Sequence, residues 1–96
     1  MNAAEDPVLH DFREQISDTD RAILAAVNAR LELVARIKAH KESRGIAFLD
    51  PVRERTMLED LAQANGGPLS SDGVRELFRT ILDLTKREVT GHAETG

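Results

Sequence analysis

The feature that most constrains this fold is a long segment near the start with no helix-breaking residue in its interior. Asp6-Pro7 is an N-cap followed by proline at the first helical position, and no further glycine or proline occurs before Gly45. Apolar residues recur along the segment at the spacing of one helix face: Leu9, Phe12, Ile16, Ile23, Val27, Val34 and Ile37. The pattern predicts a helix over residues 7–44, about 57 Å long.

A compact chain of 96 residues is only about 30 Å across, so this helix is too long for its own domain. Its apolar face needs a partner, and a second copy related by two-fold symmetry is the simplest one. Composition agrees, because the chain has three Phe and no Trp or Tyr, and one small aliphatic core is marginal by itself. The alternative that the pattern leaves open is a plain coiled coil.

Two shorter helices follow the long one. Asp50-Pro51 repeats the N-cap signal and predicts a helix over residues 51–64, with Val52, Leu58 and Leu61 facing inward. Ser70-Ser71-Asp72 opens a third helix, which is predicted for residues 71–89. Residues 91–96 are predicted to form a mobile tail. The sequence therefore predicts one all-α domain over residues 1–96, with three helices per chain.

Several classes of protein are excluded by composition. The absence of Cys excludes disulfides, thiolate zinc sites and cysteine nucleophiles, and the three His lack the i, i+4 spacing of a helical metal site. A formal net charge of −4 argues against nucleic acid or an anionic membrane as partner. With no signal peptide and no run of 18 apolar residues, we expect a cytoplasmic protein without a metal or other cofactor.

Two cations interrupt the apolar face of the first helix. Arg30 lies in line with Val34 and Ile37, and Lys41 continues the same line. Eleven residues are about three turns, so the two cations share a face and lie about 16 Å apart along the axis. Their aliphatic stems could simply pack while the charges reach water, which is the alternative to a shared ligand.

The other two helices carry polar groups in equivalent positions. Glu54 lies in line with the inward residues of the second helix and needs a partner, for example Lys41. Thr85 continues the apolar face of the third helix, where a lone Thr commonly bonds back to its own helix. Together these residues suit a small polyanion that bears a hydroxyl, bound without a nucleophile or metal and acted on by positioning and fixed charge.

The chain resembles the all-helical, type II chorismate mutases from about Phe12 to Val89. The resemblance depends on the order and spacing of five segments: Phe12-Arg13-Glu14-Gln15-Ile16 with Asp20, Ala29-Arg30-Leu31-Glu32-Leu33, Ile37-Lys38-Ala39-His40-Lys41, Asp50-Pro51-Val52-Arg53-Glu54-Arg55 and Leu77-Phe78-Arg79-Thr80-Ile81. It implies an intertwined homodimer of three-helix chains that rearranges chorismate to prephenate for phenylalanine and tyrosine biosynthesis.

The resemblance also implies roles for individual residues. Arg30 binds a substrate carboxylate within its own chain, Arg13 reaches into the site of the partner chain, Arg53 neutralises carboxylate charge, and Thr85 touches a carboxylate.

Three further residues are implied to contact the ether oxygen or the ring hydroxyl of the substrate. Lys41 is implied to hydrogen-bond the ether oxygen of the breaking bond, where negative charge develops. Glu54, with the backbone of Asp50, is implied to hold the ring hydroxyl.

One position departs from the family pattern. Where the family commonly has Gln or Glu donating to the ether oxygen, this chain has Val89, which cannot donate, and Glu88 is rotated away by about 100°. Two hypotheses follow: the isolated enzyme is slow, or another protein reshapes its site. The Gly91-His92 tail resembles that of short family members that work with the first enzyme of the shikimate pathway, which suggests that enzyme as an activator.

Three other functions remain open at this point. An isochorismate pyruvate lyase and a mutase for the 4-amino analogue of chorismate would use the same fold. A dimeric helical regulatory module with a degenerate anion pocket is the non-catalytic alternative, and Val89 is the feature that favours it.

Overall fold

The computed structural model describes residues 6–95, with side chains through residue 90. This part of the chain forms three helices and no strand: α1 at Pro7–Ser43, α2 at Pro51–Ala64 and α3 at Ser71–Thr95. The all-α class with three helices is thereby confirmed. Within the described residues, no helix combines the length and the hydropathy that crossing a bilayer would require.

Helix α1 begins at a side-chain cap and buries none of its residues. The Asp6 carboxylate accepts the N–H groups of Val8 at 2.9 Å and Leu9 at 3.1 Å, so it satisfies two of the amides that a helix start leaves open. Large apolar side chains on α1 are 49–63% exposed: Val8, Phe12, Ile16, Ile23, Leu24, Leu33 and Ile37. Of the apolar face predicted from the sequence, Phe12, Ile16, Ile23 and Ile37 are therefore open to solvent in a single chain, and Leu9, Val27 and Val34 are half-buried.

Helices α2 and α3 pack against each other, and they are the closely packed pair in the described part of the chain. The buried residues come from these two helices: Leu58, Ala62, Val74, Thr85 and Val89. Such a small core agrees with the expectation that one copy of the chain is only marginally stable.

An ion pair also connects α2 and α3. The Arg75 guanidinium donates to both Glu59 carboxylate oxygens, at 2.9 and 3.2 Å, and to Asp72 at 3.1 Å. The hydrogen bond and the charge of Arg75 lower the pKa of Glu59, and Glu59 in turn raises the pKa of Arg75. This pair connects α2 and α3 near the start of α3.

The chain divides into two compact units, one ending at Arg30 and the other starting at Leu31. The first unit is the N-terminal part of α1. The second contains the rest of α1 together with α2 and α3.

Two expectations from the sequence differ from the structure. Helix α3 continues to Thr95 instead of ending at 89, because Gly91 in a helix costs only about 1 kcal/mol relative to Ala and no proline follows it. The side chains of the segment predicted to be a mobile tail, and all of Gly96, lie outside the described residues.

Val52, predicted to face inward, is 64% exposed, because α3 covers the Leu58 side of α2.

Candidate active site

Lys41 lies in the last turn of α1, where the chain reverses direction. The Ile46 N–H donates to the Lys41 carbonyl at 2.8 Å across Gly45, whose φ is +68°. A left-handed residue followed by this bond is a Schellman motif, and glycine adopts that conformation without the penalty that a Cβ brings. The motif fixes the position of Lys41 relative to the loop that follows.

The Lys41 side chain folds onto that loop. Its ammonium donates to the Phe48 carbonyl at 3.1 Å and lies 6.0 Å from the centre of the Phe48 ring. Both side chains are half-buried. The bond to the Phe48 carbonyl holds the ammonium in place. Because an ammonium has three N–H donors, Lys41 can still donate a hydrogen bond to a ligand oxygen.

The first turn of α2 brings together three of the sequence-predicted site residues. The Asp50 carboxylate accepts the Arg53 N–H at 3.0 Å, and the Asp50 carbonyl accepts the Glu54 N–H at 3.1 Å. The Asp50 N–H has no acceptor among residues 6–90, and the Arg53 side chain is exposed. The start of α2 therefore presents an unused backbone donor next to a cation.

Glu54 is half-buried and pairs with a residue that the sequence did not single out. Its Oε1 lies 2.8 Å from the Lys86 Nζ, across the α2–α3 interface. The expectation that Lys41 is its partner is wrong, since Lys41 bonds to Phe48. Lys86 lies one turn after Leu82 on the same face of α3, so its charge in an apolar line was the signal that could have found it.

Thr85 is buried on α3. Its hydroxyl donates to the Ile81 carbonyl at 2.6 Å, which is the bond to its own helix that the sequence suggested. Because this bond uses the hydroxyl proton, the Thr85 oxygen can act towards a ligand only as a hydrogen-bond acceptor.

Val89 is also buried, at 7% exposure. It lines an apolar cavity of about 220 Å³ between α1 and α3, together with Leu31, Glu32, Ala35 and Glu88. The place where the family pattern has a polar donor is therefore a hydrophobic wall in this chain.

Arg13 and Arg30 belong to the unit that ends at Arg30, whereas the other six predicted site residues belong to the unit that starts at Leu31. Arg13 is exposed and Arg30 is half-buried. Among the described residues, no group of three His, Asp or Glu side chains is arranged to hold a metal ion.

Comparison with known proteins finds relatives across this region. The family model for chorismate mutase type II matches residues 12–89. The bifunctional chorismate mutase/prephenate dehydratase of Pseudomonas aeruginosa is 33% identical over 84 residues, which is 82% of this chain and 23% of that protein. The chain thus spans about a quarter of the length of that relative.

Two solved structures are similar to this one, both of chorismate mutase from Thermus thermophilus. Form II has a TM-score of 0.82 at 28% identity, over 85% of this chain and 93% of that one. Form I has a TM-score of 0.78 at 30% identity, over 80% of this chain and 96% of that one.

Proposed function

The chain belongs to the type II chorismate mutase family, a family of isomerases, and on that premise we propose that it rearranges chorismate to prephenate. The observation that carries the proposal is the extent of the family match. It covers residues 12–89 and so includes every site residue that the sequence resemblance implied, from Arg13 to Val89.

The proposed reaction is an intramolecular Claisen rearrangement, in which a C–O bond breaks as a C–C bond forms. It needs no general acid, general base or covalent intermediate. The protein binds the compact conformer of a dianion and stabilises negative charge on the ether oxygen as the bond breaks. Arg30, Arg53 and Arg13 of the partner subunit would bind the carboxylates.

Lys41 is the proposed donor to the ether oxygen, and its environment supports that role. The Phe48 carbonyl holds the ammonium at 3.1 Å, so the cation is oriented before substrate binds. A donor held in position needs no reorganisation in the transition state, which is the condition under which it contributes most to rate.

Glu54 and Asp50 are the proposed ligands of the ring hydroxyl. The half-buried carboxylate of Glu54 can accept a hydrogen bond from the ring hydroxyl, and the unused N–H of Asp50 can donate one to the hydroxyl oxygen. A neutral hydroxyl satisfied on both sides fits a site of this kind.

We infer that the active form is a homodimer. None of the α1 residues is buried in one chain, and its large apolar side chains are about half exposed. A second copy presents the same surface and is the simplest partner that covers it. Phe12→Asp should give monomers in analytical ultracentrifugation and reduce turnover, whereas a dimeric, active Phe12→Asp protein would contradict the inference.

The test of the proposed activity is the loss of chorismate absorbance with purified protein, followed by identification of the product. We expect prephenate, and Lys41→Met should lower kcat by about 10²-fold or more because one preorganised donor is lost. Lys38→Met is the matched control, since Lys38 lies one turn earlier and pairs with Glu42 at 2.6 Å. Equal kcat in Lys41→Met and Lys38→Met would refute the assignment of Lys41.

The product and the conditions separate the other possibilities. Release of pyruvate from isochorismate would make the chain a lyase, and turnover only with the 4-amino analogue would make it an amino-chorismate mutase. Activity that requires the added first enzyme of the shikimate pathway would support the activator hypothesis. No turnover under any of these conditions would favour the regulatory module.

A further inference from the structure

The cleft between α2 and α3 contains a charged group to which the proposed function assigns no role. From α3, Lys86 forms an ion pair with Glu54, with Nζ 2.8 Å from Oε1, and the Lys86 and Glu54 side chains are 37% and 26% exposed. Of the two Glu54 carboxylate oxygens, Oε1 is the one that this ion pair records, and the charge of Lys86 acts on the carboxylate as a whole.

We propose that Lys86 is a positioning residue that sets substrate specificity through Glu54. Lys86 holds the carboxylate so that Oε2 accepts a hydrogen bond from the ring hydroxyl of the substrate. The positive charge of Lys86 disfavours an analogue that carries an ammonium group in place of that hydroxyl. The inference rests on the proposed function, because it presupposes that Glu54 contacts the substituent of the ring.

The position of the pair supports this role. Glu54 and Lys86 lie in a cleft of about 260 Å³ whose apolar walls come from Pro51, Leu58 and Leu82. A partly buried charge is less screened than one in open solvent, so each member of the pair depends more strongly on the other. Because Glu54 and Lys86 extend from different helices, their ion pair restricts the rotation of the Glu54 carboxylate.

The charges that line the cleft support the proposed preference for a hydroxyl over an ammonium group. Arg55, Arg79 and Asp83 also line it, so five charged groups together give a formal charge of +1 when Lys86 is counted and 0 when it is not. A hydroxyl needs only an acceptor oxygen, whereas an ammonium also gains from an unpaired carboxylate and is repelled by a nearby cation. With Lys86 present, the site is therefore matched to the hydroxyl.

The chain offers a matched control for the loss of an ion pair between these helices. Arg75 on α3 bonds to Glu59 on α2 at 2.9 Å, and neither residue lines the cleft. Arg75→Met therefore removes an interhelical ion pair, as Lys86→Met does, without touching the charge next to Glu54.

The experiment measures kcat and KM for chorismate and for its 4-amino analogue with the wild type, Lys86→Met, Lys86→Arg and Arg75→Met. Lys86→Met should lower kcat/KM for chorismate by about tenfold, an effect between those of an exposed and a fully buried ion pair, because the Glu54 carboxylate loses the partner that orients it. The ratio of kcat/KM for the 4-amino analogue to that for chorismate should rise by about tenfold or more. Lys86→Arg should restore most of the wild-type ratio, and Arg75→Met should leave it unchanged.

An unchanged ratio in Lys86→Met, or the same shift in Arg75→Met, would overturn the inference. If circular dichroism shows that Lys86→Met has lost its helicity, Lys86→Gln carries the same comparison. A wild-type protein that neither turns over chorismate nor binds it in calorimetry would overturn the proposed function and the inference with it. Turnover of chorismate with no dependence on Lys86 would overturn the inference alone.

Discussion

Replacing Val89 by glutamine tests whether the hydrophobic wall at this position limits the reaction. In the proposed mechanism, Lys41 is the donor to the ether oxygen, and Val89 occupies the place of a second donor in the family pattern. Removing one preorganised donor from an active site typically lowers kcat by about 10²–10³-fold. Because the surrounding site has not been adapted to the new amide, we expect a smaller gain in kcat, about 10-fold to 10²-fold.

The structure also indicates what the substitution costs in stability. Val89 is 7% exposed, and a buried amide without partners costs about 1–3 kcal/mol. The cavity of about 220 Å³ beside it has room for the longer side chain, and Glu32 and Glu88 are among the residues that line it. We therefore expect the free energy of unfolding to fall by an amount near the lower limit of this range, about 1 kcal/mol. Such a loss lowers Tm by roughly 4–8 °C in a domain of this size.

The assay combines chorismate turnover with thermal unfolding at a fixed protein concentration. The protein contains no Trp or Tyr, so its own ultraviolet background is low. Val89→Leu is the control, because it lengthens the side chain without adding a donor, and its kcat should match that of the wild type. If Val89→Gln and Val89→Leu have the same kcat, the missing donor does not limit the rate and the reasoning is wrong.

Two further predictions concern the scaffold of the site. Gly45→Ala should destabilise the protein by about 1–2 kcal/mol in urea unfolding, because Gly45 has a φ of +68° and nothing within 4 Å of an added Cβ, so the cost is that of the backbone alone. Gly66→Ala, with equally open space and no positive φ, should have little effect, and an equal loss in both would contradict this explanation. Since Arg75 lowers the folded-state pKa of Glu59, the stabilisation from this pair is complete above the unfolded-state pKa of glutamate, about 4.3, and is lost as pH falls through the lower folded-state value. The difference in Tm between the wild type and Glu59→Gln should therefore shrink on acidification, and a difference independent of pH would exclude this cause.

Features that depend on neighbours within one or two helical turns were predictable from the sequence. The N-cap at Asp6, the left-handed stop at Gly45 and the back-bond of Thr85 each involve residues no more than five positions apart, so helix geometry alone specifies them. The unusual position of Glu54 in an apolar line was visible for the same reason. The identity of its partner was not.

The sequence by itself determined the three-helix, all-α class, the open apolar face of α1 and the positions of charge within apolar lines. Only the tertiary structure decided that Glu54 pairs with Lys86 instead of Lys41 and that Val52 is exposed. Each residue turns a helix by about 100°, so the pattern assigns a residue to a face of its own helix. Which face of another helix lies opposite depends on how the two helices are rotated and crossed, and that is settled by packing over the whole α2–α3 interface.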